Sequence, residues 1–229
     1  MALGNSQMVL AERQTLREGD VEISERAFNL IIGGMLLYGF VLNYLTVALF
    51  AEKVIRLVSN MSPWGFLIGY FVLVLAGNFM VSKGGPALSF VGYTLIAAPI
   101  GMVLCLSLSG VPVSIIKSAV LITTIVTLSF MIAGTLFTGF FLKLGRVLFF
   151  SLMILIVGEL VSLFLFRSNS VAYAWLGAGI FSLYIGYDWA RANTCARTVD
   201  NAIDLSASLY LDIINLFLRI LSIMGRRRD

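Results

Sequence analysis

Six polar side chains between Asn201 and Ser222 carry the strongest chemical signal in the sequence. Asp204, Ser208, Asp212, Asn215, Arg219 and Ser222 follow one another at steps of 4, 4, 3, 4 and 3 within an otherwise apolar run. At 3.6 residues per turn, such steps stay on one face of a helix. Tyr210, Ile214, Phe217, Leu218 and Leu221 fill the opposite side. At about 1.5 Å per residue, Asp212 lies some 14 Å in from a start near Ile203, close to the middle of a bilayer. An ionisable group at that depth costs several kcal/mol, and the usual reason to keep one there is an ion or proton path. The competing reading is a helix lying on the membrane with a wet face. It fits less well, because the run is too apolar and the polar stripe is one residue wide.

Asp188 and Glu159 are the other acidic residues in or near apolar runs. Asp188 closes the sixth such run in SLYIGYDWARAN, where Ala174, Ala178, Ser182, Gly186 and Ala190 recur every four residues. A stripe of small side chains lets a second helix approach closely. Asp188 lies about 200° around from Gly186, on the face of Phe181 and Tyr184, free to meet the following helix. Two carboxylates brought together in low dielectric cannot both ionise cheaply, so the pair Asp188/Asp212 would be at once a proton switch and a cation site. Calcium prefers oxygen ligands, which Ser208 and Asn215 would add. Taken alone, Asp188 also fits a helix-end residue at the interface. Glu159, with only Ser162 at helical spacing, also fits a structural hydrogen bond.

The elements that must hold these groups are membrane helices. Of 229 residues, 59% are hydrophobic and only 12% charged, about half the charged share of a soluble domain; the mean hydropathy is +0.97. The net charge of +4 sits mostly between apolar runs, so nucleic acid is not the implied partner. Arg226–Arg228 read as an anchor at anionic headgroups. The chain has no histidine, which removes His-based zinc sites, Ser-His dyads and His relays. Cys105 and Cys195 are isolated and suggest no disulfide or redox pair. Residues 1–27 form a polar arm with no removable signal peptide in view, so the first apolar run is expected to be retained.

Spans are expected at Phe28–Phe50, Trp64–Ser82, Ala87–Leu108 (with Pro99 inside), Ile115–Phe141, Val147–Phe166 and from Val171 onward, followed by the polar-seamed seventh. Residues 28–225 thus make a seven-helix membrane domain, and 226–229 a basic tail. Ala51–Pro63 reads as a loop or short interfacial piece. Arg13, Arg17, Arg26, Lys83, Lys143, Arg146, Arg191 and Arg197 lie on the side of the N-terminus, against Lys53, Arg56, Lys117 and Arg167 on the other. That bias places the N-terminus in the cytoplasm.

Two other classes fail on residues. A retinal protein needs a mid-membrane lysine, but Lys53, Lys83, Lys117 and Lys143 all fall at span ends. An intramembrane aspartyl protease needs a GxGD sequence beside its YD, and only Tyr187-Asp188 is present. No enzyme chemistry and no cofactor is expected.

FSLYIGYD at Phe181–Asp188 and ASLYLDIINLFLRILSIMG at Ala207–Gly225 resemble the Bax inhibitor (transmembrane Bax inhibitor motif) family, particularly its bacterial members. The match is strongest over about a fifth of the chain. The resemblance implies an all-α membrane bundle of seven helices with the C-terminal one central, in a bacterial inner membrane. It further implies a pH-sensitive calcium leak, with Asp188 and Asp212 at the positions of the family's sensor aspartates. Family members are implicated in stress and cell-death control, and one bacterial branch in restraining a membrane protease. Related leaks carry a basic cluster near the end of helix two that latches the aspartates. Here Asn78–Lys83 has only Lys83, and Arg219 is the alternative counter-charge.

The expectation is therefore a passive, proton-gated Ca²⁺ leak, with calcium as permeant ion and protons as its signal. Asp212 is the gate carboxylate and Asp188 its partner. Asp204, Ser208, Asn215 and Arg219 complete the seam, and Glu159 and Lys83 are further candidates. The other class is a non-conducting regulator that binds a membrane protease or another membrane protein through the stripe on the sixth span and the polar arm.

Overall fold

Eight helices make up nine-tenths of a computed structural model that describes residues 21–83, 85–166 and 171–225, and no strand occurs among these residues. They are α1 (Glu25–Ser59), α2 (Pro63–Lys83), α3 (Pro86–Leu108), α4 (Val113–Leu136), α5 (Thr138–Lys143), α6 (Gly145–Phe166), α7 (Val171–Ala192) and α8 (Val199–Gly225). All but the six-residue α5 have 21 residues or more, enough at about 1.5 Å per residue to cross a hydrocarbon core of roughly 30 Å. Six of the seven are apolar enough over 18 residues to qualify as spans. The six include α8 despite its seam. Falling outside them is α7, where Asp188, Arg191 and the small residues lower the apolar content. Most of the polar arm (residues 1–20) and the basic tail lie outside the described residues.

Two boundaries depart from the sequence reading. Ala51–Pro63 was expected as a loop, but α1 continues through it to Ser59 without a break. Its 35 residues reach about 52 Å, so the charged turn with Glu52, Lys53 and Arg56 extends the helix beyond the apolar layer. Nothing in that turn stops a helix, since Gly and Pro are absent until Pro63. At the other end Ser24 caps α1, its hydroxyl oxygen accepting from the Ala27 N–H at 3.2 Å. The expected fourth span breaks at Phe137, whose backbone (φ −119°, ψ 39°) leaves the helical region and starts α5. Gly110, with φ 76°, turns the chain between α3 and α4 as its sequence suggests.

The chain divides into two compact units. One holds the residues up to Ser109 together with Thr194–Ala207; the other holds Gly110–Asn193 and the chain from Ser208. In the first, Gly77 of α2 and Gly92 of α3 cross so closely that a Cβ on either would lie 2.6 Å from the other's carbonyl oxygen. Tyr93, fully buried, donates its hydroxyl to the Met35 carbonyl at 2.8 Å and so fixes α3 against α1. The segment leading into α8 and its first turn are fastened here too. Ile23 N–H donates to the Arg197 carbonyl at 2.8 Å, Arg197 pairs with Glu25 at 3.1 Å, and the buried Ser89 hydroxyl donates to Asp200 at 2.5 Å.

In the second unit the small-residue stripe of α7 does face protein. Ala174, Ser182, Gly186 and Ala190 are buried and Ala178 is partly so. Gly134 of α4 crosses at Gly186, where an added Cβ would stand 2.5 Å from the Gly186 carbonyl oxygen. The Phe141 ring fills the space a side chain at Gly186 would need. Gly186→Leu is therefore expected to destabilise the protein by about 1–3 kcal/mol through overpacking. Thermal unfolding in detergent measures it, and an unchanged midpoint would show that this face of α7 does not carry the packing.

Candidate functional site: a carboxyl pair between α7 and α8

Asp212 is the middle residue of α8, with 13 residues to Val199 and 13 to Gly225. That is about 20 Å of helix on either side. Its side chain is buried, and Oδ2 has no hydrogen-bond donor within reach. What faces it is a second carboxyl group. Asp188, also buried, lies within side-chain hydrogen-bonding range from α7. Because α7 stays helical to Ala192, past Trp189, Asp188 falls one turn from its end and still meets the seam of α8. Two carboxylates with no donor between them repel; a proton on one of them supplies the missing donor, and a cation would instead offset the two charges.

The rest of the pocket comes from α7 itself. Arg191, three residues on, pairs with Asp188 through Nη1–Oδ1 at 2.8 Å, its side chain only 18% exposed. Its guanidinium also lies 5.7 Å from the centre of the Tyr187 ring, a cation–π contact that holds the plane in place. Tyr187 in turn sits against Gly145 at the start of α6, where a Cβ would meet its hydroxyl at 2.8 Å. Tyr184 is near both carboxyl groups and packs edge-on to Tyr187, with centroids 6.5 Å apart. Trp189 donates Nε1–H to Thr135 of α4 at 2.9 Å, which fixes the turn between Asp188 and Arg191.

Arg191 is the residue that sequence reasoning missed as part of the site. It was counted only among the basic residues on the side of the N-terminus, although its i,i+3 spacing from Asp188 is the signal of an intrahelical ion pair. Lys83, the only basic residue at the end of α2, instead places its ammonium 4.8 Å from the Phe79 ring centre. Arg219 is not the counter-charge of Asp212 either. It forms a two-point ion pair with Glu159 of α6, through Nη1–Oε1 and through Nη2–Oε2 at 3.0 Å. Asn215 donates its side-chain N–H to the Leu211 carbonyl at 2.8 Å, and Asp204, Ser208 and Asn215 are all partly buried. Among the described residues no group of three or more Cys, Asp or Glu is gathered as a metal site.

These features define an all-helical, multi-pass membrane protein with a buried carboxyl pair beside its most enclosed apolar helix. The family model described as "Inhibitor of apoptosis-promoting Bax1" matches residues 22–229, and the chain belongs to that Bax inhibitor family. Its relatives span bacteria and eukaryotes. It is 30% identical over 232 residues to an uncharacterized protein of Helicobacter pylori, covering 96% of this chain and 94% of that one. It is 33% identical to Bax inhibitor 1 of Schizosaccharomyces pombe over 72% of this chain and 63% of that one. Inner membrane protein YbhL of Escherichia coli matches at 27% identity over 72% of this chain and 74% of its own length.

Proposed function

We propose that the protein is a passive Ca²⁺ leak gated by protons at the Asp188/Asp212 pair. The observation that carries this reading is Asp212 Oδ2: mid-helix, buried, without a donor, and opposed by another carboxyl group. A proton between the two relieves their repulsion and holds α7 to α8. Loss of that proton leaves like charges that separate or recruit a cation, so flux rises with pH. Arg191 keeps Asp188 the partner with a fixed counter-charge, which leaves Asp212 as the group that answers to the proton and then to Ca²⁺. The seam hydroxyl of Ser208 and the amide oxygen of Asn215 add neutral oxygen ligands along the same face. Calcium here is the permeant ion, held by few ligands and released.

The N-terminus is assigned to the cytoplasm from the excess of Lys and Arg in the loops on its side, and the membrane to a bacterial inner membrane. A reporter active only in the cytoplasm, fused ahead of α1, is expected to be active; activity only of a periplasmic reporter would reverse the orientation.

The gate assignment is tested at Asp188. Asp188→Asn keeps a polar group of the same size but removes the shared proton. The path should still conduct Ca²⁺ into liposomes, with a flattened or displaced pH profile. An unaltered wild-type profile in Asp188→Asn would remove Asp188 from the gate. If wild-type liposomes admit no more Ca²⁺ than protein-free ones at any pH, the non-conducting regulator of a membrane protease or similar partner becomes the better account.

A further inference from the structure

A second charged pair lies inside the membrane domain, and the carboxyl gate does not use it. Arg219 stands seven residues beyond Asp212 on the same seam of α8, about 10 Å further along the axis. Glu159 lies seven residues before the end of α6. Each is about two turns from the end of its helix, within the apolar layer. Their two-point pairing is the strongest geometry an arginine and a carboxylate can adopt.

Three features set this pair apart from a sealed structural bridge. Its side chains remain 23% and 30% exposed, so protein does not enclose them. Charges facing bare hydrocarbon are costly, and such residues characteristically face a bundle interior or a water-filled cavity. The guanidinium also passes over Gly177 of α7, where an added Cβ would lie 2.7 Å from Arg219 Nε and 2.9 Å from Cδ. The missing side chain at Gly177 is what gives the arginine its place. Finally, Asp212, Asn215 and Arg219 share one face of α8. A cation that leaves Asp212 along this face passes Asn215 and then meets a fixed positive charge with a carboxylate behind it.

We infer that Glu159 is a second cation-binding stage on the path and that Arg219 is its tethered occupant, which a permeating divalent cation must displace. This rests on the proposed leak and deepens it, since Arg219 then limits flux independently of the proton at Asp212. Displacement puts a divalent cation on the Glu159 carboxylate and leaves Arg219 charged beside it, so the bound cation is repelled and moves on.

The two single substitutions are expected to act in opposite directions. In liposomes of the full chain at pH 8, Arg219→Gln frees Glu159 and should raise Ca²⁺ entry about fivefold, whereas Glu159→Gln leaves Arg219 unpaired on the path and should lower it about fivefold. Gly177→Ala keeps both charges but pushes the guanidinium aside, so it should act in the same direction as Arg219→Gln. It also serves if either single variant fails to fold. A purely structural bridge would instead give losses of flux and thermal stability of the same sign in all three, and that result overturns the inference. So does wild-type flux in Gly177→Ala and Arg219→Gln. Wild-type liposomes that stay at the protein-free baseline would instead overturn the leak on which this rests.

Discussion

Asp212→Asn is expected to lower Ca²⁺ entry into liposomes by at least about tenfold and to abolish its pH dependence, a change equivalent to losing roughly 1.4 kcal/mol of cation stabilisation. The substitution keeps the side chain's size while removing the one ionisable group at the centre of α8. An amide has its own donors, so it can satisfy the orphaned position facing Asp188 without a shared proton. The helices should then stay together at every pH, and the folded protein should be at least as stable as wild type. That combination, retained fold with lost flux, separates a gate from a structural residue. An Asp212→Asn protein that conducts with the wild-type pH profile would show that α8 is not the ion path.

Arg191→Gln is expected to have the largest effect on stability. It leaves the buried Asp188 without its cation, and removing one partner of a buried pair costs about 3–5 kcal/mol. Glutamine keeps a polar side chain at this position but carries no charge to balance the Asp188 carboxyl. Arg191→Lys should recover part of the stability, because the charge returns but the flat contact with Tyr187 does not. Thermal unfolding in detergent reads both effects. An Arg191→Lys protein no more stable than Arg191→Gln would mean that Arg191 acts by packing and not by pairing with Asp188.

What the sequence could disclose was whatever helical periodicity encodes. The seam of α8 and the stripe of α7 are each set by spacing within one helix, so the place of Asp212 well inside its helix and the packing face of Gly186 were readable. The meeting of Asp188 with Asp212 was also within reach, because consecutive helices joined by a short linker tend to be neighbours. Arg191 was obscured by its position one residue from a helix end, where charge counting assigned it to the loop. The Glu159–Arg219 pair spans 60 residues, and no local pattern links α6 to α8. Likewise the helical course of Ala51–Ser59 was masked by its charges, which mark exposure and say little about backbone conformation. The break at Phe137 has no Gly or Pro at that residue to announce it.

Ca²⁺ entry into liposomes containing the purified full-length chain, followed as external pH is raised from 5 to 8, tests the central claim most directly. A leak gated by the carboxyl pair should be nearly closed at the acid end and admit Ca²⁺ increasingly as the shared proton is lost, with Asp212→Asn liposomes flat throughout. Entry that is independent of pH, or no greater than through protein-free membranes, would contradict it.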